Sequence, residues 1–317
     1  MIVIDREKLA SLPLLALAAP AIRDAYIAVT DGRANLPPVG YLPLAGRNAD
    51  CHIKYGYIDG DQIFVVKIAS GFYDNPAKGL PSSNGMMVAV SAETGDVVAV
   101  LDDKGSLTDL RTGIGGAVAT MALWRSDARR VGIVGSGTQA RMQVRALATL
   151  SDRVLHFAVW GRSPEKTAAV LADLADFDLS IEATTDLEML CRQSDAIVTT
   201  TPSKEALIRS DWIAPGTHIT AMGADAPGKQ ELDVALVGRA DRLVVDHPEQ
   251  CLDHGEFSAA ARADLIDEGR CIALGAVLSG GAMGRRSDRD ITIADLTGIA
   301  TQDIAIARTA LEALDLL

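Results

Sequence analysis

The spacing of apolar and polar positions changes character near residue 107. Before it, residues 52–58 and 63–68 alternate around Asp59-Gly60, and residues 86–90 and 97–101 flank Glu93-Thr94-Gly95-Asp96 in the same way. A period of two broken by Asp-Gly is a hairpin signature. Ahead of the hairpins a short strand over 2–4 leads to Asp5 as a helix cap, and a second helix over 14–30 stops at Asp31-Gly32. Hairpins with no helix between them predict an α+β unit with one open sheet face. Such a face needs a cover, and a twofold partner meets that need.

From residue 107 strand and helix alternate. Residues 107–123 read as a helix rich in small side chains, and apolar runs follow at 131–134, 154–160, 181–184, 196–200, 218–222 and 243–245. Helical segments over 139–150, 164–174 and 186–191 separate the first four runs. The pattern predicts an α/β region built as a doubly wound parallel sheet. A last helix over 298–317 lies beyond the final strand and is free to return to the first domain.

Composition narrows the function classes. The 317 residues carry a formal net charge of −12, the opposite of the basic face that nucleic acid or an anionic membrane requires. Aromatic residues make up 4%, too few for a single-strand stacking platform, whereas 48% hydrophobic content supports a real core. The four cysteines form no C-x-x-C pair and read as reduced thiols of a cytoplasmic protein. Residues 9–21, LASLPLLALAAPA, look like the core of a leader, but Asp5-Arg6-Glu7-Lys8 has no net positive charge and Pro13 interrupts the run. They are read as an apolar helix face. No apolar run is long enough to span a bilayer.

Val131-Gly-Ile-Val-Gly-Ser-Gly-Thr-Gln-Ala140 sets G-x-G-x-x-A between an apolar strand and a helix. Gly135 permits the tight turn, Gly137 lets backbone approach a pyrophosphate, and Ala140 lets the helix pack close to the strand. The next strand ends at Trp160-Gly161-Arg162-Ser163, where an acidic residue would hold a ribose 2′-hydroxyl. Arginine and serine in its place suit a 2′-phosphate, so NADP(H) is expected over NAD(H).

Four further segments stand in order around this motif: Val65-Val-Lys67-Ile, Gly79-Leu-Pro-Ser-Ser-Asn-Gly85, Leu107-Thr-Asp-Leu-Arg-Thr112, and Ala221-Met-Gly-Ala-Asp-Ala-Pro-Gly-Lys-Gln-Glu-Leu232. With Gly255-Glu256 and Asp295-Leu-Thr-Gly298, the set resembles the ornithine cyclodeaminase/μ-crystallin family from about residue 35 onward. The resemblance implies that Lys67 meets the substrate beside the nicotinamide, that Arg111 binds its α-carboxylate and that Asp225 stands near the reacting nitrogen. Lys229 lies on the same loop as Asp225, and Ser82 or Ser83 falls where the family has a small hydroxyl residue. Thr297 lies in the loop that approaches the nicotinamide. The residues expected to hold the cofactor are Thr112, Gly135, Ser136, Gly137, Thr138, Gln139, Gly161, Arg162, Ser163, Thr200, Met222 and Thr297. The implied architecture is a Rossmann domain over 113–298 beside an α+β dimerisation and substrate domain, 1–112 with 299–317, whose antiparallel sheets close a barrel in a homodimer.

One position departs from the family. Cyclodeaminases carry an arginine just after the double proline, whereas Pro37-Pro38 is followed here by Val39-Gly40-Tyr41. Arg47 and Lys54 are the candidates to replace it. The expected activity is therefore NADPH-dependent reduction of a small α-imino acid, cyclic (Δ1-pyrroline-2-carboxylate or its six-membered homologue) or acyclic. Ornithine cyclodeamination with bound NAD is the rival, and an NADPH-binding protein without catalysis is a third reading. The chemistry suits the residues: a planar carboxylate favours a guanidinium, a lysine inside an apolar strand needs a reason to be there, and an acid near an imine nitrogen can move a proton. His247, Cys251, Asp253 and His254 crowd one segment but match no zinc spacing, and no metal is expected. Residues 280–284 read as a flexible glycine loop and Arg285-Arg286 as a solvated pair.

Overall fold

The computed structural model describes residues Ile2–Leu317. The chain divides into two compact units: one runs up to Arg111 and takes in Ile299–Leu317, the other is Thr112–Gly298. Among the described residues no helix is long and apolar enough to cross a membrane.

The first unit holds β1 (Ile2–Asp5), α1 (Arg6–Ala10), α2 (Leu14–Thr30), β2 (Ala34–Asn35), β3 (Gly40–Pro43), β4 (Ala49–Ile58), β5 (Ile63–Phe72), β6 (Ser83–Ser91) and β7 (Val97–Asp102). Its sheet runs β1-β7-β6-β5-β4-β2, with β3 also on β4. The two predicted hairpins are present, and Gly60 turns the first at φ +88°. The sheet is mixed rather than antiparallel, because β1 pairs with β7 in parallel. That pairing joins segments about a hundred residues apart, beyond the reach of any local pattern. Asp5 caps α1, its Oδ1 accepting from Lys8 N at 2.9 Å. Residues 9–21 do not form one helix face: α1 ends at Ala10, and α2 begins after Pro13.

Helix α3 (Ser106–Leu123) crosses the boundary between the units, and α11 (Ala300–Glu312) closes the first one. Helix α11 is shorter than the 298–317 expected, because backbone turns end it after Glu312. It packs on α2, β4 and β5 and is buried nearly all round. Val65, Lys67, Met87, Ala89, Ala99 and Leu101 are buried on alternating positions of the central strands. Ile53, Ile68 and Met86 pair in one row across the opposite face and are 38–40% exposed.

The second unit comprises β8 (Arg130–Val134), α4 (Thr138–Leu150), β9 (His156–Trp160), α5 (Pro164–Asp173), β10 (Ser180–Thr184), α6 (Leu187–Gln193), β11 (Ala196–Thr199), β12 (His218–Ala221), α7 (Val234–Arg239), β13 (Arg242–Val245), α8 (Pro248–Asp253), α9 (Ser258–Arg262), β14 (Cys271–Ala273), α10 (Leu274–Leu278) and β15 (Thr292–Asp295). Every pairing in its eight-stranded sheet is parallel, in the order β10-β9-β8-β11-β12-β15-β13-β14. Two apolar layers flank it. Val131, Ile133, Phe157, Val159, Ala196 and Val198 point toward α4 and α5, while Ile197, Ile219, Leu243 and Ile293 point the other way. Burial on both faces is why these strands read as unbroken apolar runs. Strand β14 escapes such a reading because it is only three residues long, and β15 because Thr292 and Asp295 bound its two apolar residues.

One surface expectation is corrected. Arg285 is not solvated: its Nε donates to Leu123 O at 2.9 Å and its Nη2 to Thr292 Oγ1 at 3.1 Å, tying the loop before β15 to the end of α3. Gly284 is closely packed, since a Cβ there would lie 2.6 Å from Leu123 Cδ2.

Candidate active site

In the first unit a buried cationic centre forms on the helix-covered face of the sheet. Lys67 on β5 is 2% exposed and donates from Nζ to Asp303 Oδ1 at 2.9 Å, with Oδ2 at 2.8 Å. Arg111 on α3 brings Nε to 3.1 Å from Asp303 Oδ1 and donates from Nη1 to Gln302 Oε1 at 3.0 Å. The third guanidinium nitrogen, Nη2, has no hydrogen bond to another described residue. Gln302 Nε2 in turn donates to Tyr26 Oη at 2.7 Å, so α11 holds both cations through two adjacent side chains. Burial pulls the Lys67 ammonium down to about 7, Arg111 and Lys54 push it the same way, and Asp303 opposes them. At Asp303 burial is outweighed by Lys67 and Arg111, so its carboxyl lies below the usual range.

Of the two candidates to replace the missing arginine, Lys54 sits directly opposite Lys67 in the β4–β5 register and is half-buried. Arg47 lies exposed in the turn between β3 and β4. Ser82 is half-buried and its carbonyl accepts from Phe72 N at 2.7 Å; Ser83 opens β6 and is exposed.

In the second unit the remaining predicted residues gather at the carboxyl edge of the parallel sheet, where such folds bind ligands. Gly135 follows β8 at φ +135°, and a side chain there would collide with Thr200 Oγ1 beyond β11. Gly137 caps α4 without a side-chain hydrogen bond, and the space beside its Cα is open. Backbone N–H groups of Thr138 and Gln139 thus begin a helix whose positive end suits a pyrophosphate. Ala140 is fully buried, as close packing of that helix requires. Gly161, after β9, faces Ser136, whose Cβ would lie 3.0 Å from an added methyl. Arg141 braces the turn from outside: Nη1 donates to Ser136 O and Gly137 O, both at 3.0 Å, and Nε donates to Asp173 at 2.6 Å.

No acid stands at the end of β9. Arg162 is exposed and makes no hydrogen bond or ion pair with any other described residue. Ser163 is engaged, accepting from Lys166 N at 3.2 Å as the cap of α5 and donating to Glu165 Oε2 at 2.6 Å. Thr112 O accepts from Gln143 Nε2 at 3.1 Å. Met222 follows β12, and Thr297 follows β15, buried with Oγ1 at 3.1 Å from Asp246 Oδ1. Asp225 and Lys229 share the loop after β12 and pair at 2.6 Å, with the carboxylate side chain half exposed.

A buried carboxylate organises these loops. Glu231 accepts from Thr199 Oγ1, Thr201 N, Thr201 Oγ1 and Gly223 N at 2.6–2.9 Å, joining the segments after β11 and β12. Burial raises its carboxyl and these donors oppose the rise. Glu256 accepts from Glu231 N and Leu232 N, and burial beside Glu231 pushes it well up. In the crowded His/Cys segment, Cys251 donates to Asp246 and to Asp295 O, and His254 pairs with Asp253. Among the described residues no group of three or more His, Cys, Asp or Glu is arranged to hold a metal ion.

Sequence reasoning missed Asp303, Gln302, Arg141 and Glu231. The signal for Asp303 was present: a lysine on the buried face of a strand needs a counter-ion. Nothing local said which of the 42 acidic residues supplies it.

Comparison with known proteins identifies the family and the fold. The sequence profile of the ornithine cyclodeaminase/mu-crystallin family matches residues 2–315. The alanine dehydrogenase of Archaeoglobus fulgidus is 35% identical over 98% of this chain and 94% of its own. The iminosuccinate reductase of Paracoccus denitrificans is 33% identical, covering 98% and 96%. Among solved structures, an archaeal alanine dehydrogenase dimer with bound NAD superposes with a TM-score of 0.90 at 32% identity over 99% and 95% of the two chains. The Thermococcus litoralis Δ1-pyrroline-2-carboxylate reductase in complex with NADH and L-proline reaches 0.92 at 27% identity over 99% and 97%.

Proposed function

The chain belongs to the ornithine cyclodeaminase/mu-crystallin family, and on that premise we propose that it reduces a small α-imino acid to the L-amino acid, with NADPH as the favoured reductant. The carrying observation is the buried Lys67–Arg111 pair, in which one guanidinium nitrogen has no partner among the described residues. A planar carboxylate matches a guanidinium edge and the adjacent ammonium. In this reading Arg111 and Lys67 hold the α-carboxylate, Lys54 adds positive potential, and Asp225, steadied by Lys229, moves the proton at the imine nitrogen. The bound nicotinamide supplies hydride to the C=N carbon. Gly135, Gly137 and the start of α4 hold the pyrophosphate, and Arg162 meets the 2′-phosphate.

Support for NADP(H) comes from the missing acid after β9 and from Arg162, unpaired among the described residues. Accepting a 2′-phosphate requires the Ser163 hydroxyl to leave Glu165, so NAD(H) remains the second cofactor of this site. The first unit then serves as substrate and dimerisation domain, and the second as dinucleotide domain. The outward row of Ile53, Ile68 and Met86 supports a homodimer that covers this face.

A spectrophotometric panel of cyclic and acyclic imino acids, run with NADPH and with NADH, tests this reading. Oxidation of NADPH with at least one imino acid is expected, and Arg162→Ala is expected to raise the KM for NADPH far more than that for NADH. Ammonia release from ornithine without net change in nucleotide would replace the reading with a cyclodeaminase. Nucleotide binding with no turnover across the panel would replace it with a binding protein.

A further inference from the structure

We propose that Asp303 is the positioning residue of the cationic centre, holding Lys67 and Arg111 side by side and supplying the counter-charge that lets both stay buried there. This rests on reading that centre as the substrate-carboxylate site. The three groups come from β5, α3 and the first turn of α11, and Asp303 lies 236 residues from Lys67 in sequence. Its carboxylate is 1% exposed and lies within 3.1 Å of a nitrogen on each cation.

The geometry leaves a defined set of donors for a ligand. A guanidinium has five N–H groups in one plane. The edge at Nε faces Asp303 and part of Nη1 is spent on Gln302, so the donors left over lie at the Nη1–Nη2 end. Gln302 is itself fixed by Ile299 N and Tyr26 Oη, so it cannot turn away from Arg111 without breaking both contacts. Lys67 likewise has ammonium protons beyond those aimed at Asp303. Held this way, the two side chains present donors to one carboxylate without first having to be ordered by it.

Four charged groups bear on the Lys67 ammonium. Arg111 from α3 and Lys54 from β4 repel it, and Asp303 from α11 attracts it. Asp103, on the connection from β7 to α3, is occupied by Leu107 N at 2.7 Å, and burial raises its carboxyl. Asp303, in direct contact with the ammonium, is therefore the group that most raises its proton affinity against burial and the two cations. Even with Asp303 opposing burial and the two cations Lys67 lies at about 7, so without Asp303 the amine titrates lower, is neutral at neutral pH and no longer attracts an anion.

The test uses the full-length protein with saturating nucleotide, comparing Asp303→Asn with wild type from pH 6 to 9. Carboxylate capture needs the charged ammonium, so kcat/KM for the imino acid falls as pH rises through the Lys67 value. In Asp303→Asn that fall is expected about one pH unit lower, so KM at pH 8 rises by up to about tenfold and the deficit shrinks toward pH 6. KM for the nucleotide should stay within about twofold, and Asp303→Glu should restore most of the imino-acid affinity. A fall at the same pH in both proteins overturns the proposal, as does a uniform loss in Asp303→Asn that Asp303→Glu does not repair. Lys67→Ala and Arg111→Ala separate the two readings. If both raise the imino-acid KM while Asp303→Asn does not, the role of Asp303 fails alone. If neither raises it, the functional reading fails and the role of Asp303 falls with it.

Discussion

Lys67 titrates near 7 in the fold against 10.5 for a free lysine, mainly because burial disfavours its charge. Between those values the unfolded chain binds a proton that the folded chain has released, so this group's contribution to stability rises with pH across that window. Below about 7 the ammonium is charged in both states and its full desolvation cost is present. Lys67→Met removes the titration. Thermal melts between pH 7 and 9.5 should therefore show wild type gaining on Lys67→Met as pH rises; a constant gap would contradict the assignment. At neutral pH the variant leaves Asp303 with Arg111 as its remaining ion-pair partner and removes the desolvation cost of Lys67, so a loss below the ~3 kcal/mol of a fully broken buried pair is expected.

At the scale of the element, the β8–α4 turn shows how a few backbone requirements make a binding surface. Gly135 adopts φ +135°, which side chains rarely adopt, and Thr200 fills the space a Cβ would take. Gly135→Ala should weaken nucleotide binding by tenfold or more and destabilise the fold by about 2 kcal/mol. NADH fluorescence titration and denaturant unfolding read these separately, and unchanged affinity would remove the turn from the site. Helix α11 works differently. It contributes no glycine motif, yet its first turn places Gln302 and Asp303 against Arg111 and Lys67. Its burial on nearly all sides keeps those groups from shifting.

At the scale of the molecule, an overall charge of −12 frames the few places where an anion is welcome. Under the proposed function, Arg111, Lys67 and Lys54 are one such place in the first unit, and the start of α4 with Arg162 is another in the second. The outward row of the first unit's sheet has a different chemistry. Ile53, Ile68 and Met86 adjoin across three strands, a contiguous apolar surface of the kind that copies of a chain bury between them. Ile68→Asp should convert a dimer into a monomer in light scattering, while the isolated chain keeps its secondary structure by circular dichroism. A wild-type protein that is already monomeric would defeat that expectation.

By itself the sequence determined what depends on neighbours in the chain. Period-two alternation around Asp59-Gly60 specified a hairpin, apolar runs spaced by helical segments specified the parallel sheet, and G-x-G-x-x-A specified the tight turn between β8 and α4, because each is a local backbone or burial requirement. The residue types at Lys67, Arg111 and Asp225 were legible as chemistry for the same reason: an ionisable group in an apolar or strand-end setting stands out against its own neighbours. Tertiary structure decided what is set by groups distant in sequence. The parallel pairing of β1 with β7, the insertion of β15 between β12 and β13, and the choice of Asp303 as counter-ion to Lys67 all depend on long-range closure. No local pattern records which distant partner the packed chain will bring into contact.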